Sequence, residues 1–76
     1  MSNAPIFIES TANPNNHPVN IALCTYMRKC IIHGMFVIEF GGIADGDKNF
    51  FWIYDIKEER ERDYQRCLSA GKQHAT

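Results

Sequence analysis

The stretch Ala44-Asp45-Gly46-Asp47 decides how the middle of this chain is read. Asp-Gly is the preferred pair for a two-residue type I′ turn, because both central residues need positive φ and the twist then matches that of the flanking strands. With Asp45 and Gly46 as the turn, Ala44 faces Asp47. Counting outward pairs Ile43 with Lys48, Gly41 with Phe50, Phe40 with Phe51, Glu39 with Trp52, Ile38 with Ile53 and Val37 with Tyr54. Successive side chains of a strand alternate between faces. A regular ladder therefore sorts Phe36, Ile38, Phe40, Phe51 and Ile53 onto one purely apolar face, and Val37, Glu39, Gly41, Phe50, Trp52 and Tyr54 onto the other. The second face is aromatic but carries a charge and a glycine, which suits a surface that is partly wet or meets a partner. Gly41 opposite Phe50 lets that ring lie over bare backbone.

On the N-terminal side, residues 5–9 set Ile6 and Ile8 against Phe7 and Glu9 and read as a short strand. Residues 10–17 form a polar connection rich in residues whose side chains satisfy local backbone groups. From Pro18, Val19, Ala22 with Leu23, Tyr26 with Met27, and Cys30 with Ile31 recur at helical spacing, so residues 18–33 read as an amphipathic helix. Gly34 then serves as its C-terminal cap, with Lys29 and His33 in the last turn. A strand is the competing reading, since Thr25, Ile31 and Ile32 are β-branched and Val19, Ile21 and Leu23 alternate.

Beyond the hairpin, Asp55-Ile56-Lys57-Glu58 has the form of a capping box. The sequence predicts a second helix over 56–70 that stops at Gly71, with Ile56, Tyr64, Cys67 and Leu68 as a thin apolar stripe and Glu58 to Arg62 as a favourable i,i+4 pair. Residues 72–76 read as a frayed tail, and Ser2-Asn3-Ala4 looks like a cleaved-tag remnant or a disordered start, leaving 5–71 as one domain. The resulting order is β-α-β-β-α: an α+β domain whose three-stranded sheet carries an antiparallel hairpin and has both helices on one face. It resembles the first five elements of a ferredoxin-like unit with the final strand missing, a likeness of topology that implies no function.

Composition narrows the partners. The 76 residues carry a net charge of −1 with the signs interspersed, so neither nucleic acid nor an anionic membrane gains electrostatic support. No apolar run approaches the ~20 residues needed to span a bilayer. Three cysteines read as reduced thiols rather than a disulfide framework, with the cytoplasm as the expected compartment. A chain this short sits near the lower limit for folding alone, which favours self-association.

The candidate chemistry is sparse. Cys30 and His33 fall one turn apart on the expected helix, close enough for a thiolate–imidazole pair or a shared metal. A structural zinc site wants four ligands, however, and Cys24 projects away from Cys30. The simpler reading is a small core thiol beside a helix-ending histidine. Asp45-Gly46-Asp47-Lys48-Asn49 opens like a calcium loop, but Phe50 and Ile56 stand where the loop needs Gly and Glu. Gly41 to Lys48 lacks the Ser or Thr and the following helix of a phosphate loop. Glu9, Glu39 and Asp55 have no spacing that makes any two meet, as acid–base catalysis requires.

The aromatic face remains. Phe50, Trp52 and Tyr54, with Val37 and Glu39, are read in three ways: covered by an element such as the N-terminal segment, used as a protein or homodimer interface, or used to stack single-stranded nucleic acid. The last lacks a cationic surround. Interface cores favour Tyr, Trp and Phe. The expectation is a non-enzymatic interaction module of the adaptor or inhibitor type. It binds another protein or itself, without a cofactor, through the aromatic hairpin face or the charged second helix.

Overall fold

Two consecutive residues with positive φ, His33 at 52° and Gly34 at 76°, join two strands where the helical spacing predicts the end of a helix. The computed structural model describes residues 7–43 and 48–75. The Asp45-Gly46 turn, its flanking Ala44 and Asp47, and residues 1–6 lie outside the described residues. The elements are β1 (Phe7–Ile8), β2 (Val19–Asn20), a 3-10 turn (Ile21–Leu23), β3 (Tyr26–Ile32), β4 (Met35–Ile43), β5 (Lys48–Tyr54) and α1 (Lys57–Ala75). β3, β4 and β5 form an antiparallel sheet in that order, and β1 pairs with β2 in a separate two-stranded sheet.

The domain is thus α+β with a three-stranded sheet built on an antiparallel hairpin, as the sequence predicts, but its third strand is β3 rather than the N-terminal strand, which pairs with β2 instead, and the described residues hold one helix, not two. Residues 18–33 are β2, the 3-10 turn and β3. The ferredoxin-like order, which needs a helix between its first two strands, is not formed. Positive φ at Gly34 serves a helix cap and a type I′ turn equally well, so the glycine carries no vote between them. His33 supplies the other positive φ of that turn, and histidine tolerates the region better than most residues. The β-branched residues Thr25, Ile31 and Ile32 then favour the extended form. Asn20 caps the short 3-10 turn by accepting from the Ala22 N–H at 3.1 Å.

The second departure is one residue of register. Ile43 pairs with Lys48, as the turn count requires, but Phe40 pairs with Phe50, Glu39 with Phe51, Ile38 with Trp52, Val37 with Ile53 and Phe36 with Tyr54. Between these blocks Gly41 and Gly42 stand opposite Asn49 alone, and Gly42 takes φ +67°. This is a β-bulge, and one extra residue turns every later side chain of the partner strand to the other face. A Cβ on Gly42 would collide with the Thr25 side chain, and one on Gly41 with the Tyr26 ring. A ring does lie over bare backbone at Gly41; it is Tyr26, not Phe50.

The bulge sends Phe36, Ile38, Phe40, Phe50, Trp52 and Tyr54 to the same side, where α1, the 3-10 turn and the N-terminal loop cover them. The core comprises Val19, Ile38, Phe40, Trp52, Tyr54 and Cys67, with Phe40 and Trp52 edge to face at 4.8 Å. Trp52 donates its indole N–H to the His17 carbonyl at 2.6 Å, and the His17 ring stacks on Phe50. Of the readings of the aromatic face, cover by the N-terminal segment is the one the structure shows, and its use as a free binding surface is corrected: Trp52 and Tyr54 are buried and Phe50 is partly buried. α1 begins one residue later than the sequence indicates, with the Ile56 carbonyl accepting from Arg60 N–H, and it continues through Gly71.

Two substitutions test this arrangement. Gly42→Ala is expected to cost about 2 kcal/mol in urea denaturation, from a Cβ at positive φ and the encounter with Thr25. Trp52→Glu is expected to abolish cooperative unfolding by calorimetry, because it removes the largest core side chain and buries a charge in its place.

Candidate functional site

An antiparallel sheet that leaves one face to water ordinarily alternates apolar with polar residues. β5 does not, since residues 50–54 are apolar throughout. The bulge therefore leaves an apolar surface on the side away from α1, made by Cys30 and Ile32 of β3, Met35 and Val37 of β4, and Phe51 and Ile53 of β5. Ile32, Phe51 and Ile53 stay 38, 44 and 37 % exposed. Val37, on the central strand, is buried among its neighbours. With Ile32, His33, Met35, Phe51 and Ile53 it lines an open, wholly apolar depression of about 320 Å³.

The other end of this face is polar. The Glu39 carboxylate accepts from Arg28 Nε at 2.5 Å, Tyr26 OH at 2.8 Å and Asn49 Nδ2 at 3.1 Å. The bonds from Arg28 and then Tyr26 hold its carboxyl below the ordinary range, and the same bonding to Glu39 raises the Tyr26 phenol. Glu39 accepts three hydrogen bonds, and Arg28 neutralises its charge.

Of the residues singled out from sequence, Val37 and Glu39 stand on this open face, and Phe50, Trp52 and Tyr54 do not. The face takes Phe51 and Ile53 in their place. A regular ladder puts those two with the core set, and the Gly41-Gly42 pair is the signal that moves them, since glycine inside a strand pattern commonly marks a bulge. Cys30 and His33 are not one helical turn apart: Cys30 lies on β3 and His33 in the turn, ~10 Å apart along an extended chain at ~3.3 Å per residue. Among the described residues no group of three or more His, Cys, Asp or Glu side chains could hold a metal ion.

A second cluster was not legible at all. Asp63, fully buried on α1, accepts at Oδ2 from Tyr54 OH at 2.6 Å and Ser10 Oγ at 2.7 Å. Its Oδ1 takes Thr11 Oγ1 at 2.8 Å and Arg66 Nη1 at 3.1 Å, and Arg66 reaches on to the Glu9 carbonyl at 2.8 Å. Burial alone would raise the Asp63 carboxyl, but the bonds from Tyr54, Ser10, Thr11 and Arg66 together outweigh it and hold it down to about 2. The Tyr54 phenol is pushed up, by burial first and by its bond to Asp63 second. The cluster joins the N-terminal loop, β5 and α1. Each member has a hydrogen-bond partner, which ties these elements to one another. Cys67 beside it is raised by burial to about 12, which makes that thiol inert at neutral pH.

No family model, curated protein or solved structure matches the chain. Among the described residues no helix is long and apolar enough to cross a membrane.

The Asp63 cluster sets a pH dependence. Its folded value of about 2 lies below the ordinary 3.8, so its contribution, on the order of 2 kcal/mol, is complete above about pH 4 and is lost as pH falls toward 2. Denaturation followed across that interval is expected to show this loss in the wild type. Asp63→Asn should lack it while starting from a stability about 3 kcal/mol lower. An unchanged acid profile in the variant would assign the transition to other carboxylates.

Proposed function

We propose that this chain is a small non-enzymatic protein-interaction module, of the adaptor or inhibitor type, that docks through the open sheet face. The observation that carries the reading is the apolar surface of Ile32, Met35, Val37, Phe51 and Ile53 on a sheet whose opposite face is already covered. Contiguous exposed apolar surface on so small a domain marks an interaction site more often than an accident of composition. Phe51 supplies the exposed aromatic anchor, and the Tyr26–Glu39–Arg28 cluster supplies a polar rim, the usual anatomy of a binding patch.

The charged helix is the weaker surface. Its inward positions include Arg60 and Asp63, so its polar character serves the fold as well as solvent. Arg60 donates to the Cys30 carbonyl at 2.9 Å and lies over the Phe36 ring. Lys29 bonds Glu61 at 2.9 Å. A thiol- or metal-dependent role for Cys30 and His33 has lost the helical spacing that motivated it.

Affinity capture from the native cell with three baits separates these surfaces. Wild type and Arg62→Glu, altered on the solvent side of α1, are expected to retain the same protein at similar yield. Phe51→Asp is expected to lose it while keeping the wild-type circular dichroism spectrum, a loss of at least about 2 kcal/mol in binding. Retention by Phe51→Asp, or loss through Arg62→Glu, would transfer the function to the helix.

A further inference from the structure

We infer that the open sheet face is occupied by a second copy of this chain, packed face to face. The inference rests on the docking reading above and gives the partner an identity.

Three observations lead there. The first is how little the fold buries: among the described residues the core holds Val19, Ile38, Phe40, Trp52, Tyr54 and Cys67, a small set, and Cys24, Cys30 and Cys67 are free thiols that staple nothing. Domains of this size commonly gain the missing burial by association. The second is the charge of the face. Arg28 is neutralised by Glu39 on the same surface, so the patch has no net charge with which to select an oppositely charged partner and none to repel its own copy. The third concerns the sheet edges. Asn16 accepts from the Ile53 N–H at 3.0 Å, and Asn13 and Asn16 both donate to the Ile53 carbonyl. On β3, at the opposite side of the sheet, the Met27 carbonyl accepts from Tyr64 OH at 3.4 Å. These side chains occupy positions that an added strand would need, so joining by sheet extension is obstructed and the face is left.

The geometry suits a two-fold contact. An axis along β4 lays β3 of one copy across β5 of the other. The apolar end then meets the apolar end, and the two Arg28 side chains lie on opposite flanks. Sheets packed this way sit ~10 Å apart with strands ~30° from parallel, and the same patch serves both copies. Three strands at ~4.8 Å spacing and some seven positions at ~3.4 Å span roughly 340 Å² per copy. Two such faces cover roughly 700 Å², below the size of a standard specific complex, so the contact is a weak one. The expected dimer is reversible and concentration-dependent.

The test is sedimentation equilibrium on the purified full chain from micromolar to near-millimolar concentration. The wild type is expected to run from monomer to dimer. Phe51→Asp should weaken the dimer by about 30-fold or more, as loss of an interface anchor does. Ile31→Lys, exposed on the other side of β3, should change it by less than about 3-fold. A measurement on the unaltered protein guards against a variant that fails to fold. Cys30 lies on the proposed interface while Cys24 and Cys67 pack against the core on the other side, so labelling of Cys30 should slow as concentration rises and that of Cys24 should not. A wild type that stays monomeric, or a dimer broken by Ile31→Lys and not by Phe51→Asp, overturns the second copy as occupant. Should the monomeric chain still capture a protein in a Phe51-dependent way, the docking reading survives; should it capture none, both fall.

Discussion

Which side of β5 faces the helix is the constraint on which the rest of this molecule depends, and two adjacent glycines impose it. Gly42 can hold φ +67° and admit the Thr25 side chain where any other residue would collide. The strand β4 thereby takes in one more residue than β5. From that point Trp52 and Tyr54 turn toward α1 and Phe51 and Ile53 turn away. Either arrangement would bury apolar side chains, because residues 50–54 are apolar on both faces, so hydrophobicity alone does not choose between them.

The chosen arrangement is held by polar bonds more than by area. Tyr54 can reach Asp63, and Trp52 can reach the His17 carbonyl, only from the helix side. A carboxylate buried with a full set of donors is strongly directional, and breaking such a set leaves groups unpaired in a low dielectric. Asp63 thus selects the side chains that accompany it and anchors the N-terminal loop through Ser10 and Thr11. That also explains the thin apolar stripe of α1: its buried positions include Arg60, Asp63 and Cys67, so a search for hydrophobic periodicity sees only part of the contact face.

The sequence made the pairing of β4 with β5, the last helix, the polar loop and the α+β class legible, because each is signalled by local chemistry: strand patterning on both sides of a turn signal, a capping-box pattern ahead of the helix, Asn and Ser for the loop. Residues 18–33 were ambiguous because spacings of two and of three to four overlap over so short a span, and Gly34 satisfies both outcomes. Half of the candidate site, Val37 and Glu39, was placed on a free face, while its β5 members were read one position out of phase. The missed step was nonlocal, since a bulge shifts residues up to twelve positions away in sequence without altering their local pattern. The Asp63 cluster joins residues from positions 10 to 66, and no spacing rule reports such a meeting.

Asn13 and Asn16 do more than end a loop. β5 carries an unbroken aromatic and aliphatic segment, free of charge, proline and glycine over residues 50–54, which is the composition of strands that stack into fibres. Its outer edge is satisfied at Ile53 by those two asparagine side chains, and the loop that bears them is tethered through Ser10 and Thr11 to one carboxylate. The loop therefore acts as a gatekeeper. One buried carboxylate thus keeps covered the outer edge of the strand most prone to pair with another chain.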